Sequence, residues 1–161
     1  MQLPRGKVLR EALPLEKTDM PKLFYELELK KFNGYVAVLI RGNGGYEEGV
    51  VVFLDGKVVS SSYEYLAYQR EFFGVDAIKR FANLCRADSG IYDIIQLSKD
   101  LGALVLRLNP ESELKYSYQH LRDDSKGVFD YNLEKEAKTT GVVTKEDILS
   151  RFKLSDIVSK R

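Results

Sequence analysis

Between Gly34 and Ser62 the chain alternates strand chemistry with turn chemistry, and this pattern restricts the fold more than any other. Gly34-Tyr35-Val36-Ala37-Val38-Leu39-Ile40-Arg41 is rich in β-branched and aromatic residues, which pack well on a pleated surface. Gly42-Asn43-Gly44-Gly45 is turn chemistry, and Glu48 to Leu54 reads as a second strand. Asp55-Gly56 then separates Leu54 from Lys57. A two-residue Asp-Gly loop supplies the positive φ angles of a type I′ turn, so Lys57 to Ser62 is a third strand folded back on the second. The central strand, Val50-Val51-Val52-Phe53-Leu54, is apolar on both faces. Both faces should therefore be covered, one by helices and the other by a helix or a second subunit.

Helical signals flank this meander. Asp19 precedes Met20-Pro21, an N-cap followed by a first-turn proline, and Met20, Leu23, Phe24 and Leu27 share one face of a helix over 20–31. Ala77, Ile78, Phe81 and Leu84 mark a helix over about 75–87, and Ile91 to Leu97 reads as a fourth strand. Ser98 caps a helix carrying Leu101, Leu104, Val105 and Leu108, which Asn109-Pro110 stops. Residues 1–18 read as an extended entry segment able to pair with a sheet edge. Hydrophobicity falls over 111–141, which reads as a polar connecting segment. Thr144-Lys145-Glu146-Asp147 resembles a capping box and opens a short helical tail over 142–161. The expected fold is α+β: an antiparallel meander sheet of four or five strands packed by amphipathic helices, with residues 1–110 as the compact domain.

Composition narrows the chemistry. Among 161 residues there is one His and one Cys, too few for a structural zinc site, and no internal disulfide is possible. No signal-like or membrane-length apolar run occurs, so a cytoplasmic protein is expected. A net charge of +1 offers no bulk attraction to nucleic acid or membrane, so both are unexpected partners.

No catalytic constellation stands out. Gly42-Asn43-Gly44-Gly45 lacks the Lys-Ser/Thr and helix of a phosphate loop, and Glu47 and Glu48 follow it, so it reads as a hairpin turn. Tyr116, Tyr118 and His120 alternate as on one strand face, without a nucleophile for the imidazole to activate. Cys85 reads as a structural thiol, and Glu47, Glu48, Glu64, Glu71 and Asp76 as solvated faces. No cofactor or metal is expected. Tyr63, Tyr65 and Tyr68, with Phe72 and Phe73, form the most distinctive stretch. It suits core packing at the sheet end, a protein interface, or base stacking, and the three tyrosines are the candidate interface residues.

A set of motifs in fixed order adds a resemblance. Leu3-Pro4-x-Gly6-Lys7, Phe32-Asn33-Gly34-Tyr35-Val36-Ala37-Val38, Glu48 through Val59, Tyr63-Glu64-Tyr65 and Gly74-x-x-Ala77 together resemble the archaeal domain of unknown function family 2226 over about 1–110. The central block is also similar to the bacterial PATAN-type (PatA N-terminal) domain. That second resemblance implies a signalling-associated domain that mediates protein–protein contact, and neither resemblance implies catalytic residues. The function expected is a non-catalytic interaction or regulatory adaptor that self-associates as a homo-oligomer. The alternative is a small-molecule or nucleotide-binding protein, or a minor enzyme, with a cleft near the Asp55-Gly56 or Gly42 loop.

Overall fold

The computed structural model describes residues 1–140, so the helical tail expected over 142–161 lies outside the described residues. The hairpin chemistry forms as the sequence dictates. Strands β2 (Gly34–Arg41), β3 (Tyr46–Leu54) and β4 (Lys57–Tyr65) make a continuous antiparallel meander. Asp55 and Gly56 take φ of 50° and 79° between β3 and β4, the positive values that the type I′ turn requires. A bulge at Val52/Phe53 shifts the β3–β4 register.

The sheet has seven strands rather than four or five. The entry segment supplies β1 (Lys7–Pro14), which pairs with β6 (Gly90–Gln96), and β6 pairs with β2. β1 is a bulged edge strand with its side chains mostly exposed. Strand β5 (Arg70–Phe73) pairs with the second half of β4, and β7 (Glu113–Tyr116) with its first half, so one edge of β4 serves two partners. Both are four residues long with charges interspersed, too short to show the alternation that marks a strand in sequence.

Helices α1 (Met20–Leu29), α2 (Gly74–Leu84) and α4 (Tyr118–Asp124) pack on one face. Asp19 caps α1 by accepting from the Lys22 N–H at 3.0 Å. Phe24 of α1 meets Phe53 edge-on, ring centres 4.9 Å apart, and lies 5.7 Å from Phe81 of α2. The other face carries α3 (Lys99–Leu108), whose Val105 is buried with Val50, Val52, Ile95 and Leu97. The doubly apolar central strand is thus covered on its second face by a helix of its own chain.

Residues 111–140, read from sequence as a polar connection, hold β7, α4 and α5 (Asn132–Thr140). Leu114, Leu121 and Ala137 are buried in the same core as α1 and α2. Each of these elements presents one or two apolar residues to the core and leaves the rest polar, which keeps the mean hydropathy of the stretch low. His120 lies on α4 rather than on a strand with Tyr116. Ser117 caps that helix, and its Oγ lies 2.9 Å from His120 Nδ1.

Candidate functional site

The structure brings Tyr63, Tyr65 and Tyr68 together, and it places the first two inside. They stand at alternate positions of β4 and so point to the same face, with ring centres 5.2 Å apart, and Tyr68 follows at 6.4 Å from Tyr65. Tyr63 is 1% exposed and Tyr65 2%. Neither ring can meet a partner, so the expected three-tyrosine interface reduces to the half-buried Tyr68. The reason is register. Tyr63 and Tyr65 lie opposite Gly49 and Glu47 on the helix-covered face, and Phe72 of β5 packs across them.

What the tyrosines surround is a pair of buried carboxylates. Glu47, read from sequence as a solvated charge, is 2% exposed and accepts the Tyr63 hydroxyl at 2.5 Å. Its other oxygen has no hydrogen-bond partner among the described residues. Desolvation, aided by the charge of Glu134 and opposed by the Tyr63 bond, pushes the Glu47 carboxyl up to about 7. Burial, followed by the Glu47 charge, holds the Tyr63 hydroxyl well above its ordinary range.

Glu134 reaches in from α5. It accepts the backbone N–H groups of Asn43 and Gly44 and, at 3.2 Å, the Tyr68 hydroxyl. The Gly42–Gly45 turn is closed by its own Gly42 N–H to Gly45 carbonyl bond of 2.8 Å and lies over both carboxylates. A Cβ on Gly42 would fall 1.9 Å from Glu47 Oε1. Glycine is here because side chains from beneath occupy the space. Arg80 of α2 closes the far side, with its guanidinium 3.7 Å above the Phe72 ring. The cluster can hold and exchange a proton near neutrality, but at 2% exposure Glu47 is sealed from any substrate. Glu134 carried no signal in the sequence, because 91 residues separate it from Asn43.

A cleft opens elsewhere, beside the Asp55-Gly56 turn. It encloses about 470 Å³, within the range of small-molecule sites. Phe24, Phe53 and Val58 form its apolar floor, and all three are buried. Glu28, Lys57 and Lys115, all exposed, also line it. The Val58–Tyr116 register across β4 and β7 brings the two lysine-bearing segments side by side. The cleft exists because the turn docks on the end of α1: Gly56 N–H donates to the Phe32 carbonyl at 2.8 Å. Cys85 stays silent, its thiol pushed up to about 12 by burial.

The third feature is the half of the second sheet face that α3 and the other described residues leave open. Ala37, Leu39, Tyr46 and Ile91 lie there, with Tyr46 56% and Ile91 43% exposed. Beside them, Glu48, Glu64 and Glu71 stand directly opposite one another across β3, β4 and β5, and Asp93 lies on the same face. Like charges in direct cross-strand register repel. Burial and then the neighbouring carboxylates, Glu64 foremost, hold the Glu48 carboxyl above its usual range.

No helix among the described residues is long and apolar enough to cross a membrane. No curated protein and no solved structure matches the chain. Residues 1–109, which run from the entry segment through β1 to the end of α3, match the family described as "Uncharacterized protein conserved in archaea (DUF2226)", and the chain belongs to that family.

Proposed function

We propose that this chain is a non-catalytic protein-interaction or regulatory module that works through the open half of its second sheet face. One observation carries the reading: among the described residues nothing covers Tyr46 and Ile91, which with the half-buried Leu39 form an apolar strip next to a register of carboxylates. The Met1 ammonium already pairs with Glu71, which leaves Glu48 and Glu64 facing each other across β3 and β4, and a cationic partner relieves that repulsion. A second copy suits this face poorly, because a two-fold pair through it would bring two copies of the Glu48, Glu64 and Glu71 register into one interface. The partner is therefore a different protein, with Lys or Arg flanking an apolar surface.

Two measurements test this. Size-exclusion with light scattering at micromolar concentration should give a monomer at neutral pH; a dimer that Leu39→Asp dissolves would overturn the choice of partner. Protein captured from the source organism's lysate should be re-expressed and titrated against the pure chain. Leu39→Asp with Tyr46→Ser should weaken that binding about a hundredfold, as the loss of a central apolar anchor does. Unchanged affinity for the variant would sink the assigned surface.

A second reading, a small-molecule-binding protein, is favoured by the cleft beside Asp55-Gly56.

A further inference from the structure

We infer that Glu47 and Glu134 form a proton-controlled latch that holds α5 on the Gly42–Gly45 turn. The two carboxylates reach under these four residues from different elements, Glu47 from β3 and Glu134 from α5. A Cβ on Gly42 would fall 1.9 Å from Glu47 Oε1, and one on Gly44 would fall 2.5 Å from Glu134 Oε1, so the turn lies directly over both groups. Both residues are buried, at 2% and 6% exposure. Their bonding differs. Glu134 accepts the Asn43 and Gly44 amides and the Tyr68 hydroxyl. Glu47 accepts only the Tyr63 hydroxyl, and its Oε1 has no partner among the described residues. An ionised group with a bare oxygen costs far more in such a place than a neutral one.

The groups around Glu47 set the balance. Tyr63 and Tyr65 of β4 stand beside it, and Arg70 of β5 lies one strand beyond Tyr65 in the same row. Arg80 of α2 is engaged elsewhere, donating to the Asp76 carbonyl at 3.1 Å and pairing with Glu136 at 3.6 Å. The other charges of α5, Lys135, Glu136 and Lys138, are exposed. Burial and the Glu134 charge oppose ionisation, the Tyr63 bond favours it, and the carboxyl titrates at about 7. Above that value two like charges share one turn. Glu47 cannot yield, because its strand is paired on both sides. α5 can, because Ala137 is the one apolar side chain it buries among the described residues. Release of Glu134 separates the charges, frees the turn and admits water to Glu47. The hydrated carboxyl returns toward its ordinary 4.5, so the latched state binds the proton more tightly. The latch therefore holds at acid pH and weakens as pH rises through 7.

Solvent exchange of the Asn43 and Gly44 amides, read by NMR on the full chain and divided by the intrinsic exchange rates, tests this. Between about pH 6 and pH 8 the corrected exchange should rise about tenfold, as expected for a carboxyl that moves from about 7 to 4.5 when the latch opens. Amides in the β2–β3 ladder should stay protected over the same range. Glu47→Gln keeps the shape without the charge and should abolish the rise. Tyr63→Phe removes the bond that favours the charged form and should move the rise to higher pH. Should Glu47→Gln fail to fold, the Tyr63→Phe displacement decides alone, and an unmoved rise would overturn the latch. A rise that persists in Glu47→Gln would overturn it as well, and so would a flat wild-type profile. A rise shared by the whole β2–β3 ladder would report global unfolding and would equally end the proposal.

Discussion

Glu47 sets the energetics of the cluster beneath the Gly42–Gly45 turn. Its carboxyl titrates at about 7 in the folded chain against an ordinary 4.5, so between those values the folded state binds more protons than the unfolded state. Stability from this group is full below about pH 4.5 and falls as pH rises through 7. Above that, the buried carboxylate costs on the order of 3 kcal/mol. Glu47→Gln keeps the shape and removes the charge. It should raise the urea midpoint at about pH 8 and leave it nearly unchanged at about pH 5. An equal shift at both pH values would contradict the raised carboxyl. Gly56 is decided by sterics instead. Its φ is +79°, and a Cβ would lie 2.5 Å from the Glu28 carbonyl oxygen. Gly127 has φ of +97° with nothing within 4 Å. Gly56→Ala should therefore cost at least about 2 kcal/mol and Gly127→Ala about 1 kcal/mol, because only the first adds a backbone clash to the strain. Comparing the two urea midpoints checks that order. Gly56 was legible from the Asp-Gly pair alone. Glu47 was not, since a carboxylate following a glycine turn reads as solvated until the tyrosine that covers it from the neighbouring strand is known.

At the level of elements, sequence legibility followed length and periodicity. The eight- and nine-residue strands β2, β3 and β4 and the capped helices α1 and α3 were readable, because alternation and helical spacing repeat several times in each. β5 and β7 offer four residues each, and α4 contributes the single buried Leu121. Such elements are fixed by what they pack against, not by their own pattern. Leu121 is fully buried in the core that α1 and α2 share, so Leu121→Ala should cost about 2–5 kcal/mol in one cooperative transition. A small separate transition in urea would mean that α4 unfolds apart from the core. Glu134 ties α5 to the Gly42–Gly45 turn, because its carboxylate accepts the Asn43 and Gly44 amides from a helix some 90 residues further on. Glu134→Ala should speed hydrogen exchange at those two amides and leave β2 and β3 protected.

For the whole molecule, sheet order departs from chain order. β6 inserts between β1 and β2, so the first strand waits for a partner more than 70 residues later. The meander and β5 can form locally, whereas the β1–β6, β2–β6 and β4–β7 pairings close long loops. That separation explains why the candidate sites were only partly legible. The cleft was anticipated near Asp55-Gly56, but its lining from β7 and α4 comes from some sixty residues downstream. The open acidic face depends on a register that joins β3, β4 and β5, and no local pattern marks it.

The ragged border at β1 has its own consequence. Among the described residues nothing pairs with the outer side of β1, and an edge strand with Val8 53% and Leu9 45% exposed is a template on which a neighbouring molecule's backbone could continue the sheet. Two interruptions in its register and the cations Lys7 and Arg10 break the straight, neutral rail that such growth needs. Geometry and charge thus oppose edge-to-edge growth at the very margin where the apolar residues surface.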